Sequence, residues 1–130
     1  GRPVHFEVQV DDVERAKNFY AEVFGWAYED YSQVTGTPYW GVITGDEGTP
    51  GINGGLLPRS APQPGKFESA NAFVVTMEVT DYDATEEAIL RLGGEQVQAK
   101  YALPGMAWQG YYTDTEGNII GIHQPDENAR

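Results

Sequence analysis

Residues 4–25 read Val4-His5-Phe6-Glu7-Val8-Gln9-Val10-Asp11-Asp12-Val13-Glu14-Arg15-Ala16-Lys17-Asn18-Phe19-Tyr20-Ala21-Glu22-Val23-Phe24-Gly25, and this stretch decides the fold. Val4, Phe6, Val8 and Val10 alternate with His5, Glu7 and Gln9. A period of two marks a strand with one apolar and one polar face. Asp11 and Asp12 follow, and aspartate caps the free N–H groups at a helix start. Val13, Ala16, Phe19, Tyr20, Val23 and Phe24 then recur at helical spacing, which predicts an amphipathic helix over 13–24. Gly25 stands where a glycine closes a helix.

The same unit returns 69 residues later, Asp12 falling on Asp81 and Gly25 on Gly94. Phe73, Val75, Met77 and Val79 alternate with Val74, Thr76 and Glu78. A second helix carries Ala84, Ala88, Ile89 and Leu92 and closes at Gly93-Gly94. The shift holds onward: Tyr39-Trp40-Gly41 lies opposite Trp108-Gln109-Gly110, and Asp46-Glu47-Gly48 opposite Thr115-Glu116-Gly117. Glycine in those turns readily supplies a positive φ. The last strands, Gly51 to Leu57 and Asn118 to Gln124, align at a shift of 67, Gly54 on Gly121 and Pro58 on Pro125. Trp26 to Tyr31 and Glu95 to Tyr101 read as second strands. One shift that aligns helices, caps and turns together is an internal repeat. The fold class is therefore α+β, two βαβββ modules in tandem. Residues 1–58 form the first module, 59–71 a Pro- and Gly-containing linker and 72–130 the second, within one domain.

Composition narrows the function. The chain has 130 residues, 40% hydrophobic and 12% aromatic, enough for a core. Its 20 acidic and 8 basic residues give a net charge of −12, which repels nucleic-acid phosphates and anionic lipid headgroups. Neither is an expected partner. There are no cysteines, which excludes disulfides, thiolate nucleophiles and cysteine-ligated zinc or iron–sulfur centres. No apolar run reaches the ~20 residues of a membrane span. Gly1-Arg2-Pro3-Val4 has no basic-then-apolar signal pattern, and a start without methionine suggests processing or a tag remnant. The expected location is the cytoplasm.

His5-Phe6-Glu7-Val8, Asp12-Val13-Glu14-Arg15-Ala16 and Phe19-Tyr20 through Phe24-Gly25-Trp26 resemble the opening of the vicinal oxygen chelate superfamily. Leu103-Pro104-Gly105-Met106, Tyr112 and Asp114-Thr115-Glu116-Gly117-Asn118-Ile119 resemble its closing half. That group includes glyoxalase I, extradiol dioxygenases, fosfomycin-resistance transferases and bleomycin-binding proteins. The resemblance implies a cup-shaped, mostly antiparallel sheet with helices outside, a site inside and a homodimer. In metal-using relatives the ligands come from the first and last strands of each module. Similarity places those positions at His5, Gly54, Val74 and Gly121. Only His5 can coordinate, and a catalytic divalent site needs about three protein ligands. No metal or other cofactor is expected.

Other chemistry stays open. Glu7 shares a strand face with His5, Glu78 lies on the matching face of the second module, and His123 is two residues from Gly121. If a metal is present, His5, Glu7, Glu78 and His123 form a shifted His₂/carboxylate set that suits zinc, iron(II) or manganese. Without metal, His5, Glu7 and His123 are the candidate acid–base groups. Tyr39, Trp40, Trp108 and Tyr112, with Glu78, are the candidate ligand-binding residues, because aromatic rings stack flat molecules and negative charge favours cationic ones. The leading expectation is a metal-free, small-molecule-binding protein of the glyoxalase/bleomycin-resistance type. The alternatives are a lyase, isomerase or dioxygenase acting on a small oxygenated substrate, and an interaction module whose cup is filled by its own side chains.

Overall fold

Alternation and capping build the first unit in the predicted order. The computed structural model describes residues 5–63, 65 and 74–130. Strand β1 (Glu7–Val10) leads through Asp12 into helix α1 (Val13–Phe24), where the Asp12 carboxylate accepts from the Arg15 N–H at 3.0 Å. Gly25 ends the helix at φ 75°, a left-handed conformation that costs a glycine little. Strands β2 (Ala27–Asp30), β3 (Trp40–Ile43) and β4 (Gly54–Pro58) follow. The sheet order is β1-β4-β3-β2, with β1 parallel to β4 and the other pairs antiparallel. A one-turn helix, α2 (Ser32–Thr35), interrupts the β2–β3 connection and was not anticipated from the repeat. It is held locally, with the Asp30 carboxylate accepting from Ser32 N–H and the Ser32 hydroxyl oxygen accepting from Tyr39 N–H.

The second unit repeats the plan. Strand β5 (Val75–Glu78) enters helix α3 (Tyr82–Arg91) through Asp81, whose carboxylate accepts from Ala84 N–H at 3.0 Å. Strands β6 (Glu95–Leu103), β7 (Ala107–Thr113) and β8 (Ile119–Pro125) complete the order β5-β8-β7-β6, with β5 parallel to β8. Here Gly93 takes the positive φ, 101°, while Gly94 is required for space. A Cβ on Gly94 would lie 2.5 Å from both Ile89 Cγ2 and the Thr113 carbonyl. The chain divides into compact units at 1–63 and 64–130. Val4 and Phe73, predicted strand starts, and most of the predicted linker lie outside the described residues.

Helices α1 and α3 each pack on one face of their own sheet. In the first unit Val10, Ala16, Phe19, Tyr20, Trp26, Val42 and Leu56 are buried, and Tyr20 stacks on Trp26 at 4.5 Å. In the second, Tyr82, Ile89, Tyr112, Ile120 and Ile122 are buried. The two aspartate caps are equivalent, so Asp12→Ala and Asp81→Ala should each lower stability by about 1 kcal/mol, read as a shift in urea midpoint.

Strand register corrects the repeat alignment. Glu7 pairs with Gly55 and Gly55 with Gly41, whereas Thr76 pairs with Gly121 and Gly121 with Tyr111. The structural counterpart of Gly121 is therefore Gly55, not Gly54, and that of Val42 is Tyr112 rather than Tyr111. The buried state of Val42 and Tyr112 agrees with this pairing. In a strand, a slip of one residue exchanges the two faces.

Candidate functional site

The helix-free face of the first sheet follows from register. Leu56 and Val42 are buried on the α1 side, and Val8 and Trp40 pair with Leu56 there. Glu7, Gly55, Gly41 and Glu29 occupy the opposite face. His5 and Tyr39 join them. His5 Nε2 lies 2.9 Å from the Tyr39 hydroxyl. The same phenol is hydrogen-bonded to the Glu7 side chain, and burial together with that carboxylate raises its pKa above the usual phenol value. A carboxylate only accepts, so the phenol donates to Glu7 and accepts from His5 Nε2–H. A Cβ on Gly55 would collide with the Tyr39 hydroxyl, so the glycine leaves room for the phenol. The Tyr31 ring lies over Gly41 in the same manner, with its Cε2 2.6 Å from where a Cβ would be. Its hydroxyl donates to Glu29 at 2.5 Å, and that bond raises the Tyr31 pKa.

The second sheet has a matching face. Thr76, Glu78, Gly121, His123, Gln109 and Tyr111 share it by pairing. His123 Nδ1 lies 2.8 Å from Gln109 Oε1. Tyr101 pairs with Gln109, and its phenol is raised by burial and by a hydrogen bond with Tyr111.

The predicted site residues divide accordingly. His5, Glu7 and Tyr39 form one hydrogen-bonded cluster in the first unit. Glu78 and His123 are cross-strand neighbours in the second. Trp40, Trp108 and Tyr112 lie on the helix-bearing faces instead. Lys17 Nζ sits 5.8 Å from the Trp40 ring centroid, and Lys100 Nζ 4.8 Å from that of Trp108, so each indole already faces a cation of its own unit. Trp108 also donates to Asp126. Tyr112 is buried, and its hydroxyl donates to Glu86 and lies 2.8 Å from the Tyr82 hydroxyl. Sequence reasoning did not place Glu29, Thr76 or Gln109 at a site. The available signal was a glycine on one strand facing an aromatic or amide side chain nearby.

The residues at the family's metal positions do not fit a divalent ion. His5 bonds to Tyr39. Gly54 faces α1, where a Cβ would lie 2.8 Å from the Phe6 ring. Val74 has no lone pair, and the space above Gly121 holds Thr76 Oγ1 and the Gln109 amide. Among the described residues no group of three or more His, Cys, Asp or Glu side chains is placed to hold a metal. A separate hollow of about 490 Å³ within the β3–β4 connection is lined by residues that include Asp46, Glu47 and Asn53, and contains none of the predicted site residues.

Two βαβββ units with imidazole, phenol and carboxylate groups on their helix-free faces define a glyoxalase-type protein. The chain belongs to the Glyoxalase/Bleomycin resistance protein/Dioxygenase superfamily, whose family model matches residues 2–122. It is 30% identical to a "Glyoxylase-like domain-containing protein" of Didymella fabae over 89% of this chain and 88% of that one. It is 25% identical to "Putative glyoxylase CFP32" of Mycobacterium tuberculosis over 98% of this chain but 47% of that protein, so it spans about half that relative's length. Among solved structures it is similar to the fosfomycin resistance protein FosX of Listeria monocytogenes, with TM-score 0.70 and 15% identity over 97% of this chain and 94% of that one. No helix among the described residues is long and apolar enough to cross a membrane.

Proposed function

We propose that this protein binds a small, flat organic cation without a metal ion. The observation that supports it is the segregation of charge. Glu7, Glu29 and Glu78 lie on the helix-free faces beside Tyr39, Tyr31 and His123, while Lys17 and Lys100 stand over rings on the helix-bearing faces. Tyrosine faces attract cations, and carboxylates hydrogen-bond their N–H groups. The family's bleomycin-resistance members make a cationic, planar compound a sensible class to screen. The reading also includes a homodimer, supported by the family resemblance and testable by sedimentation, located in the cytoplasm.

The test has two arms. Elemental analysis after loading with zinc, iron(II), manganese and nickel should find no stoichiometric metal. Calorimetry should show binding of planar cations such as benzamidine but not of a neutral isostere such as benzamide. Glu7→Gln should weaken that binding about tenfold, the loss of one charge-assisted contact. Stoichiometric metal, or equal binding of cation and isostere, would overturn the proposal.

A lyase or isomerase is the second reading, favoured by the hydrogen-bonded chain Glu7–Tyr39–His5. It links a carboxylate, a neutral phenol and an imidazole through which a proton can be passed. Turnover of small hydroxy-carbonyl compounds that is lost in Tyr39→Phe would establish it. A dioxygenase needs a metal, so it stands or falls with the elemental analysis.

A further inference from the structure

We infer that Gln109 is a positioning residue that holds His123 in its Nδ1–H tautomer and leaves Nε2 as a hydrogen-bond acceptor for an N–H group of the ligand. The inference rests on the cation reading above and assigns the polar half of the site in the second unit. Gln109 Oε1 lies 2.8 Å from His123 Nδ1, and an amide oxygen can only accept. Nδ1 therefore carries the hydrogen, and in the neutral ring Nε2 keeps its lone pair.

The amide is held rather than free to turn. Gln109 is only 5% exposed, sits in β7 and is paired on both sides, with Tyr101 of β6 and His123 of β8. Its Nε2 lies 3.1 Å from where a Cβ on Gly121 would be, so the missing side chain is what lets the amide occupy that place. Among the described residues no side chain bonds His123 Nε2, and none pairs with the Glu78 carboxylate, its neighbour across the β5–β8 register. A carboxylate and an imidazole lone pair side by side form an acceptor pair. The complementary ligand is a nitrogen cation with more than one N–H, such as an amidinium or guanidinium.

The first unit provides a contrast. Tyr39 gives its hydrogen to Glu7, so His5 carries its hydrogen on Nε2. The chain has two histidines, and they should show opposite tautomers.

Long-range proton–nitrogen correlation spectra of ¹⁵N-labelled, tag-free protein, recorded where the imidazoles are neutral, test this directly. A His5→Ala sample assigns the signals. The pyridine-type nitrogen of His123 is expected to be Nε2 in the wild type and in Gln109→Glu, which keeps an acceptor. It should move to Nδ1 in Gln109→Leu, since free imidazole side chains favour the Nε2–H form. Benzamidine should shift the His123 Nε2 signal of the wild type, and its Kd should rise about tenfold in Gln109→Leu. A wild-type pyridine-type nitrogen at Nδ1 would mean that the amide faces the other way, and would overturn the inference even in a protein that binds benzamidine. Benzamidine that fails to bind a protein with the expected tautomer would instead sink the cation reading, and the ligand role of Nε2 with it. If Gln109→Leu does not fold, the wild type and Gln109→Glu still decide the tautomer.

Discussion

Tyr82→Ala is expected to destabilise the protein by about 3–5 kcal/mol, the cost of removing a fully buried aromatic ring. Tyr82 opens α3, is completely buried and meets the Tyr112 hydroxyl at 2.8 Å. Its own hydroxyl fills the place that a Cβ on Gly110 would take, so Gly110 offers no side chain to fill the void. Lys100 would also lose the ring that its ammonium faces at 4.9 Å. Tyr82→Phe keeps the ring and removes only the hydroxyl, and should cost roughly 1 kcal/mol. Urea titrations of the two variants separate packing from hydrogen bonding. Equal losses would mean that the hydroxyl contact, not ring burial, anchors α3.

Stability should fall steeply above about pH 10. Burial, then the hydrogen bond to Glu86, pushes the Tyr112 pKa far above the usual phenol value, and burial does the same to Tyr28. Both phenols stay protonated in the folded chain while the unfolded chain ionises them near pH 10. Above that pH the unfolded state binds fewer protons, so unfolding becomes easier as pH rises. The stabilisation is fully present below pH 10 and is lost through the alkaline range. Each such phenol contributes a slope of roughly 1.4 kcal/mol per pH unit. Tyr112→Phe should remove one such contribution and flatten the slope. At neutral pH it should cost about 1–3 kcal/mol, because Glu86 and Tyr82 lose their partner. Urea midpoints from pH 8 to 11 check both statements. An unchanged slope in Tyr112→Phe would show that this phenol ionises normally in the folded protein.

The functional reading depends on which sheet face each side chain takes. The helix-bearing faces meet their cations with aromatic rings: Lys17 with Tyr28 and Trp40, and Lys100 with Tyr82 and Trp108. The helix-free faces pair carboxylates with tyrosines and leave Glu78 without a partner among the described residues. On the proposed reading, an incoming cation would find on those faces the interactions that the protein's own lysines satisfy on the other side.

The α+β class, the tandem repeat, helices α1 and α3 and both aspartate caps were legible from the sequence alone. These are local features, set by residue periodicity and by side chains that bond to backbone three residues on. His5, Glu7 and Glu78 were legible as polar positions in alternating strands. The faces of Trp40, Trp108 and Tyr112 were not. Each connection in a module has its own length, so the equivalent residues lie 69 apart in the first strands, 70 apart in the third (Val42 and Tyr112) and 66 apart in the last (Gly55 and Gly121). The shifts read from the sequence, 69 in the third strands and 67 in the last, each miss by one residue, and one residue is the difference between the two faces of a sheet. Pairing between strands decided that Tyr39 meets His5 and that Gln109 meets His123, because those contacts join residues 34 and 14 positions apart and depend on register that no local pattern encodes.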